Sequence, residues 1–380
     1  PRLAQRVHSI FTIYRFNLLL HSNLIMNANR RIDSTVVFVV VIVVCVFTNI
    51  SSLILWYSST GNIIPSQLAD KPIPESPLKS GTLSSNKIPV THRFADVCPP
   101  AGTIYAPSSD VRKVSLDQAV SFVKGGYNLM QMGSGDIRLP GLAAALLSKL
   151  QHERGIFGSV AELGVHHGRF TGCLFITAMT TEKLIVADVF DQQSKNLDSS
   201  GLGSRQHFVE GMKSYGMTES DVFLIYTGST DELPFDWHRK SNFEQFRLIS
   251  VDAGHTDALT FNDLEIAFCN LLVGGLVFLD DWFHGHWFGV TEGYFQFQSL
   301  GPTKSIFPIA WIAGKIVFTN DHDYHKLYYN KLNSLPMFVS HALWLTNKNQ
   351  MNGVEFLRVA DDYIISDEEV WNMWTEVLSG

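Results

Sequence analysis

The sequence predicts an α/β fold: a mostly parallel sheet with an antiparallel last strand, helices on both faces, and a single transmembrane helix ahead of it. Three observations carry this reading. Five apolar runs of strand length, Val160–Leu163, Leu184–Ala187, Val222–Tyr226, Phe246–Val251 and Leu276–Leu279, alternate with helix-like segments. Apolar strands alternating with helices imply a parallel sheet covered on both faces. The first run opens into Glu162-Leu-Gly164-Val-His-His-Gly168, which reads as strand, tight loop and helix start. Three of the runs end in carboxylates, at Asp188, Asp252 and the pair Asp280-Asp281. In such sheets ligands bind outside the carboxyl ends of the strands.

The elements follow in order. Residues 1–35 read as an N-terminal cytoplasmic segment, with Met26 as the expected start. Residues 36–57 read as a signal anchor: Val36–Phe47 carries no charge, and the polar cluster at Thr48–Ser52 is its one interruption. About 20 residues suffice to cross a bilayer. Arg30 and Arg31 precede the run and no Lys or Arg follows until Lys71. The positive-inside rule then gives a type II orientation. A cleaved signal peptide is the alternative, because Thr48–Ser52 offers small polar residues for cleavage. Residues 58–93, rich in Ser and Pro, read as a stalk. An anchor, a stalk and a globular domain at 94–380 suit a single-pass enzyme of the endoplasmic reticulum or Golgi, with the bilayer as partner.

Within the domain, Ser115–Tyr127 and Gly141–Gln151 read as helices, Ser115 and Gln118 suiting a capping box. Cys173–Met179 and Asp257–Leu272 are the helical segments after the first and fourth strands. Ile306–Ile309 and Lys315–Phe318 read as the last two strands, an antiparallel hairpin, followed by helices at Tyr324–Leu332 and Glu368–Leu378. Of four cysteines, Cys45 falls in the anchor, Cys98 near the domain start, and Cys173 and Cys269 in apolar runs where free thiols are expected. No disulfide framework is read from these spacings. The chain of 380 residues is 46% hydrophobic with a net charge of −7. That balance suits a globular domain and lacks the basic footprint of a nucleic-acid binder.

The chemistry is carried by the strand ends. Gly164 and Gly168 allow positive φ and a close approach of ligand to backbone. The helix beginning near Gly168 turns its N–H groups and positive dipole end toward that ligand. The spacing is Glu-x-Gly-x-x-x-Gly, not the Gly-x-Gly-x-x-Gly of a pyrophosphate loop. Asp188 stands about 20 residues on, where an acidic residue takes ribose hydroxyls; the alternative is a carboxylate capping the next turn, and Asp191 is the stand-in. Asp252, Asp280 and Asp281 would converge if both strands are parallel. Three close carboxylates repel, and a hard divalent cation such as Mg²⁺ resolves that repulsion. The alternative is that one of the pair merely caps a turn.

Over roughly Leu139 to Phe297 these segments resemble the class I S-adenosylmethionine-dependent methyltransferases, and their Mg²⁺-dependent O-methyltransferases in particular. The aspartate after strand four and the acidic pair after strand five are similar to the metal ligands of catechol O-methyltransferase and of macrocin-type sugar O-methyltransferases. Asp252-Ala-Gly-His255 resembles the sugar enzymes. The resemblance implies a Rossmann-like methyltransferase sheet. It implies S-adenosylmethionine held by Glu162, Gly164, Gly168 and Asp188, with Ser229 and Thr230 near the adenine. It implies Mg²⁺ on Asp252, Asp280 and Asp281, and His255 as general base, unless His255 only orients Asp252. The acceptor would be a hydroxyl of a small molecule or sugar. A homo-oligomer is implied by the related sugar enzymes. The chain departs from the sugar type in His166-His167 and in Asp280-Asp281, where Glu-Asp is frequent. The aromatic segment Trp282–Phe288 suits either a sugar-stacking pocket wall or a core-packing loop. An anchored domain that keeps the fold and binds without catalysis is the alternative function, and a nicotinamide dehydrogenase is disfavoured by the loop spacing.

Overall fold

The computed structural model describes residues 112–126, 138–217, 222–232, 245–300, 305–338, 349–359 and 367–379. The expected cytoplasmic segment, anchor and stalk, with Cys45 and Cys98, lie outside the described residues. Among the described residues no helix is long and apolar enough to cross a membrane.

The first helix, α1 (Leu116–Ser121), starts with the expected capping box: Ser115 Oγ accepts from the Gln118 N–H and Gln118 Oε1 accepts from the Ser115 N–H. It continues as a π-helical turn over Phe122–Gly126. Then come α2 (Arg138–Glu153), β1 (Ser159–Leu163), α3 (Arg169–Thr177), β2 (Leu184–Asp188), α4 (Arg205–Ser214) and β3 (Val222–Thr227). The second half gives β4 (Phe246–Val251), α5 (Asp257–Cys269), β5 (Leu271–Leu279), α6 (Phe288–Leu300), β6 (Phe307–Ile312) and β7 (Lys315–Thr319). Last are α7 (His322–Asn333), β8 (Asn349–Met351), β9 (Val354–Arg358) and α8 (Asp367–Ser379).

The strands form one sheet in the order β3-β2-β1-β4-β5-β7-β6-β9-β8. β1 to β5 are mutually parallel, and β7 is antiparallel to both β5 and β6. The expected parallel sheet with an antiparallel strand is therefore present. The expected last hairpin is not the end of the sheet: β9 pairs parallel with β6, and β8 pairs antiparallel with β9. β5 also begins earlier than expected, at Leu271, because the chain turns at Gly274 (φ 75°) and remains in the sheet on either side.

Neighbouring strand residues point to opposite faces. Val160, Val186, Leu248 and Phe278 bury against α2, α3 and α8 on one face. Ala161, Ile185, Ile249, Val277 and Leu279 bury against α5 and α6 on the other. Both faces are dry, which is why these strands read as unbroken apolar runs. Cys173 is a buried thiol whose Sγ donates to the Arg169 carbonyl at 3.6 Å. Cys269 corrects the expectation of a free thiol: it is disulfide-bonded.

Candidate active site

The chain runs β1-β2-β3 in one direction across the sheet and β4-β5 in the other. The change of direction between β1 and β4 opens a crevice at their carboxyl ends. A cavity of about 730 Å³ fills it, lined by the loops after β1, β2, β3, β4, β5 and β6. Ladder hydrogen bonding continues past the strand ends. Gly164 N–H donates to Ala187, Gly228 N–H to Asp188, Asp252 N–H to Leu163 and Asp280 N–H to Val251, all at 2.7–2.9 Å.

Gly164 (φ 82°) lies against β4: a Cβ there would stand 1.8 Å from the Asp252 carbonyl oxygen. Gly168 (φ 86°) is the N-cap of α3, and its missing Cβ leaves room for Phe208. The N-terminus of α3 thus opens on the cavity, which Arg169 also lines. Glu162, at the penultimate position of β1, is buried. Thr171 Oγ1 and Ser250 Oγ donate to it. Burial pushes its carboxyl up to about 7, against the pull of Lys315 and these hydroxyls.

Asp188 is found in the capping role given as its alternative reading. It lines the cavity. Its Oδ2 accepts the N–H groups of Val165 and His166 at 2.7 Å, and its Oδ1 accepts that of Phe190 at 2.5 Å. Its carboxylate therefore holds the glycine loop in shape. Asp191 accepts from the Arg205 N–H, at the first residue of α4. Ser229 and Thr230 are buried and line the cavity after β3.

The three strand-end aspartates do not form one oxygen cage. Lys315, the first residue of β7, is 5% exposed and inserts its ammonium between two of them. Its Nζ is 3.0 Å from Asp252 Oδ2 and 2.7 Å from Asp280 Oδ2. It also lies 4.8 Å from the centre of the Phe170 ring. The charge of Lys315 holds Asp280 low despite burial. Asp252 is pushed up by burial and by Asp280 beside it. Asp281 (φ 54°) turns the other way. Its Oδ2 lies 2.9 Å from His255 Nε2.

His255 is gripped on both ring nitrogens. Asp198 Oδ2 lies 2.8 Å from Nδ1 and also accepts the His255 backbone N–H at 2.6 Å. Trp287 stacks on the ring at 4.2 Å between centres. Burial would lower the imidazole, but its bonds to Asp198 and Asp281 prevail and push it up to about 10. His255 is thus a second resident cation. Among the described residues, one set places metal-donor atoms together, Asp252, His255 and Asp281, within 4.8 Å of one another. That set includes the imidazolium and leaves out Asp280, so the three carboxylates expected to hold Mg²⁺ do not fit it as a group.

The aromatic segment splits. Trp282 is core, edge-on to Tyr294 and Phe318. Trp287 and His284 line the cavity, while Phe283 and Phe288 face solvent. Asp198 and Lys315 were not among the residues expected from the sequence. Asp198 sits in a polar loop without local signal. Lys315 had one: it is a charge heading an otherwise apolar strand.

No protein-family model matches the chain, and no curated protein matches it. Solved structures similar to it include the O-methyltransferase NovP, at 13% identity over 55% of this chain and 98% of that one, with a TM-score of 0.42. The O-methyltransferase TomG from Streptomyces achromogenes, solved with SAM, is 13% identical over 55% of this chain and 92% of its own, with a TM-score of 0.38. The calicheamicin methyltransferase CalS11 is 14% identical over 58% of this chain and 99% of its own, also at 0.38.

Proposed function

We propose that this chain transfers the methyl group of S-adenosylmethionine to a hydroxyl of a small molecule or sugar. The observation that carries the reading is the charge of the cavity around the glycine loop. Six carboxyl groups line it (Glu162, Asp188, Asp198, Asp252, Asp280 and Asp281) against four cationic side chains (Arg169, Lys195, Lys315 and His255). Such a lining repels a pyrophosphate and attracts a cationic sulfonium. Ser229 and Thr230 would flank the adenine end, and the glycine loop the middle. His255 and the strand-end aspartates would face the methyl group.

In the transfer the acceptor oxygen attacks the methyl carbon. The C–S bond breaks with its electron pair going to sulfur, leaving a neutral thioether. The hydroxyl proton goes to a base. His255 can fill that role once its Nε2 proton has left with Asp281 and the acceptor hydroxyl has taken that place, while Asp198 keeps the proton on Nδ1 and fixes the tautomer of the neutral imidazole. Positioning of the two reactants contributes several kcal/mol more.

Mg²⁺ assistance is the second form of this reading: Asp252, His255 and Asp281 would hold the ion if His255 gave up a proton to become a ligand. A divalent ion held there would make the acceptor hydroxyl easier to ionise. The type II anchor and a lumenal site in the endoplasmic reticulum or Golgi belong to the same proposal. The disulfide at Cys269 supports them, because disulfides persist in oxidising compartments.

Calorimetric titration of the protein with S-adenosylmethionine tests the reading. Saturable binding is expected, and Asp188→Ala should abolish it by releasing the loop N–H groups. A wild-type protein that binds none would favour the non-catalytic alternative.

A further inference from the structure

The ends of β4 and β5 present the three carboxylates on which the expected ion would sit, and a side chain of this chain already occupies the space between two of them. Lys315 Nζ touches Asp252 Oδ2 at 3.0 Å and Asp280 Oδ2 at 2.7 Å. The lysine is 5% exposed and rests on the Phe170 ring, so it has no alternative seat in water. The third strand-end carboxylate, Asp281, is paired with His255 at 2.9 Å. Each strand-end aspartate therefore touches a cationic side chain of this chain, Asp252 and Asp280 sharing one ammonium. A dication would have to displace one of these cations or bind beside both. The ammonium also lines the cavity. The positive charge that a metal would offer to an oxygen losing its proton is thus built into β7.

We infer that Lys315 is the resident cation of the acidic strand ends, standing where a divalent metal was expected, and that the site works without a metal ion. The inference rests on the methyl-transfer reading for its purpose, but not for its test.

The probe is Mn²⁺ alone, titrated into the protein and followed by the loss of free-ion electron paramagnetic resonance signal. The wild type should take up no Mn²⁺ saturably across the millimolar range. Lys315→Met leaves Asp252 and Asp280 facing each other without a cation and should gain saturable uptake, at least about tenfold tighter than the wild type. Lys315→Arg keeps the charge and should stay blank. Saturable uptake by the wild type that vanishes in Asp281→Asn would overturn the inference, as would a folded Lys315→Met that gains nothing. Should Lys315→Met fail to fold, the wild type and Asp281→Asn decide between these outcomes. Titration with S-adenosylmethionine in the presence of a chelator separates the two ideas. Binding there, alongside Mn²⁺ uptake by the wild type, sinks only the metal-free inference. Absence of cofactor binding, with no Mn²⁺ uptake, sinks the methyl-transfer reading and leaves the assignment of Lys315 standing.

Discussion

Strand β4 has a buried cation at each end, and the two are used differently. At its start Arg247 is fully buried and meets Glu182 with two parallel bonds, Nε to Oε1 at 2.6 Å and Nη2 to Oε2 at 2.8 Å. Its remaining N–H groups donate to Ser148, Gln151 and Thr177. Glu182 also receives the Gly158 and Met179 N–H groups. One cation meets one carboxylate and every valence is filled, as a buried pair requires. At the other end, one ammonium serves Asp252 and Asp280, with Glu162 nearby, and one imidazolium serves Asp198 and Asp281. There the anions outnumber the cations. The balanced end fixes the sheet to α2; the unbalanced end projects a negative field into the cavity.

The largest expected effect lies at the balanced end. Arg247→Met leaves Glu182 in the core without its guanidinium partner and should cost about 3–5 kcal/mol in denaturant unfolding. A loss below about 1 kcal/mol would mean that the pairing contributes little. The pH dependence has a definite sign. Burial alone would raise Glu182, but Arg247 and His152 hold it down to about 2. A lowered carboxylate stabilises the fold above its unfolded pKa, so this contribution fades as pH falls from about 4.5 toward 2. The variant should lose that acid-sensitive portion of its stability.

Lys315→Met should cost less, about 1–2 kcal/mol, although it strands two carboxylates. Asp252 and Asp280 keep 28% and 24% side-chain exposure and can hydrate, whereas Glu182 has 1%. Equal losses for the two variants would erase the distinction between the two ends.

The smallest effect is a shift in titration. Asp198→Asn removes the partner of His255 Nδ1 and should move the imidazole midpoint down from about 10 by at least about one pH unit, read by NMR. A raised histidine stabilises the fold below its unfolded pKa and ceases to do so as pH climbs through its folded one. The variant should therefore lose its alkaline-sensitive increment of stability. A midpoint that does not move would assign the shift to Asp281 alone.

The sheet was legible because its central strands are dry on both faces and read as plain apolar runs. The edge was not. Val354-Glu-Phe-Leu-Arg358 mixes charges into a short strand, and Asn349–Met351 is only three residues long. Helix α6 escaped for a related reason: Phe288–Leu300 scatters aromatics among Gln, Thr and Glu, so no clean face stands out. At the site, glycine spacing and strand-end acids gave the loop and the direction of the chemistry. Their partners could not be read, because Lys315 reaches Asp252 across 63 residues of sequence and Asp198 reaches His255 across 57. Pairings at that range are set by sheet order.

The bonds that continue the ladder beyond the strand ends have a mechanical consequence. Gly228 is tied to β2, Gly164 to β2, Asp252 to β1 and Asp280 to β4 by main chain alone. The glycine turn and the acidic ends therefore form one stiff plate, with a spacing that side-chain substitutions leave largely unchanged. Variation in what the cavity accepts must come from the walls around that plate, the loops at 193–203 and 282–287. Lineages that exchange acceptors would redraw these walls and keep the plate.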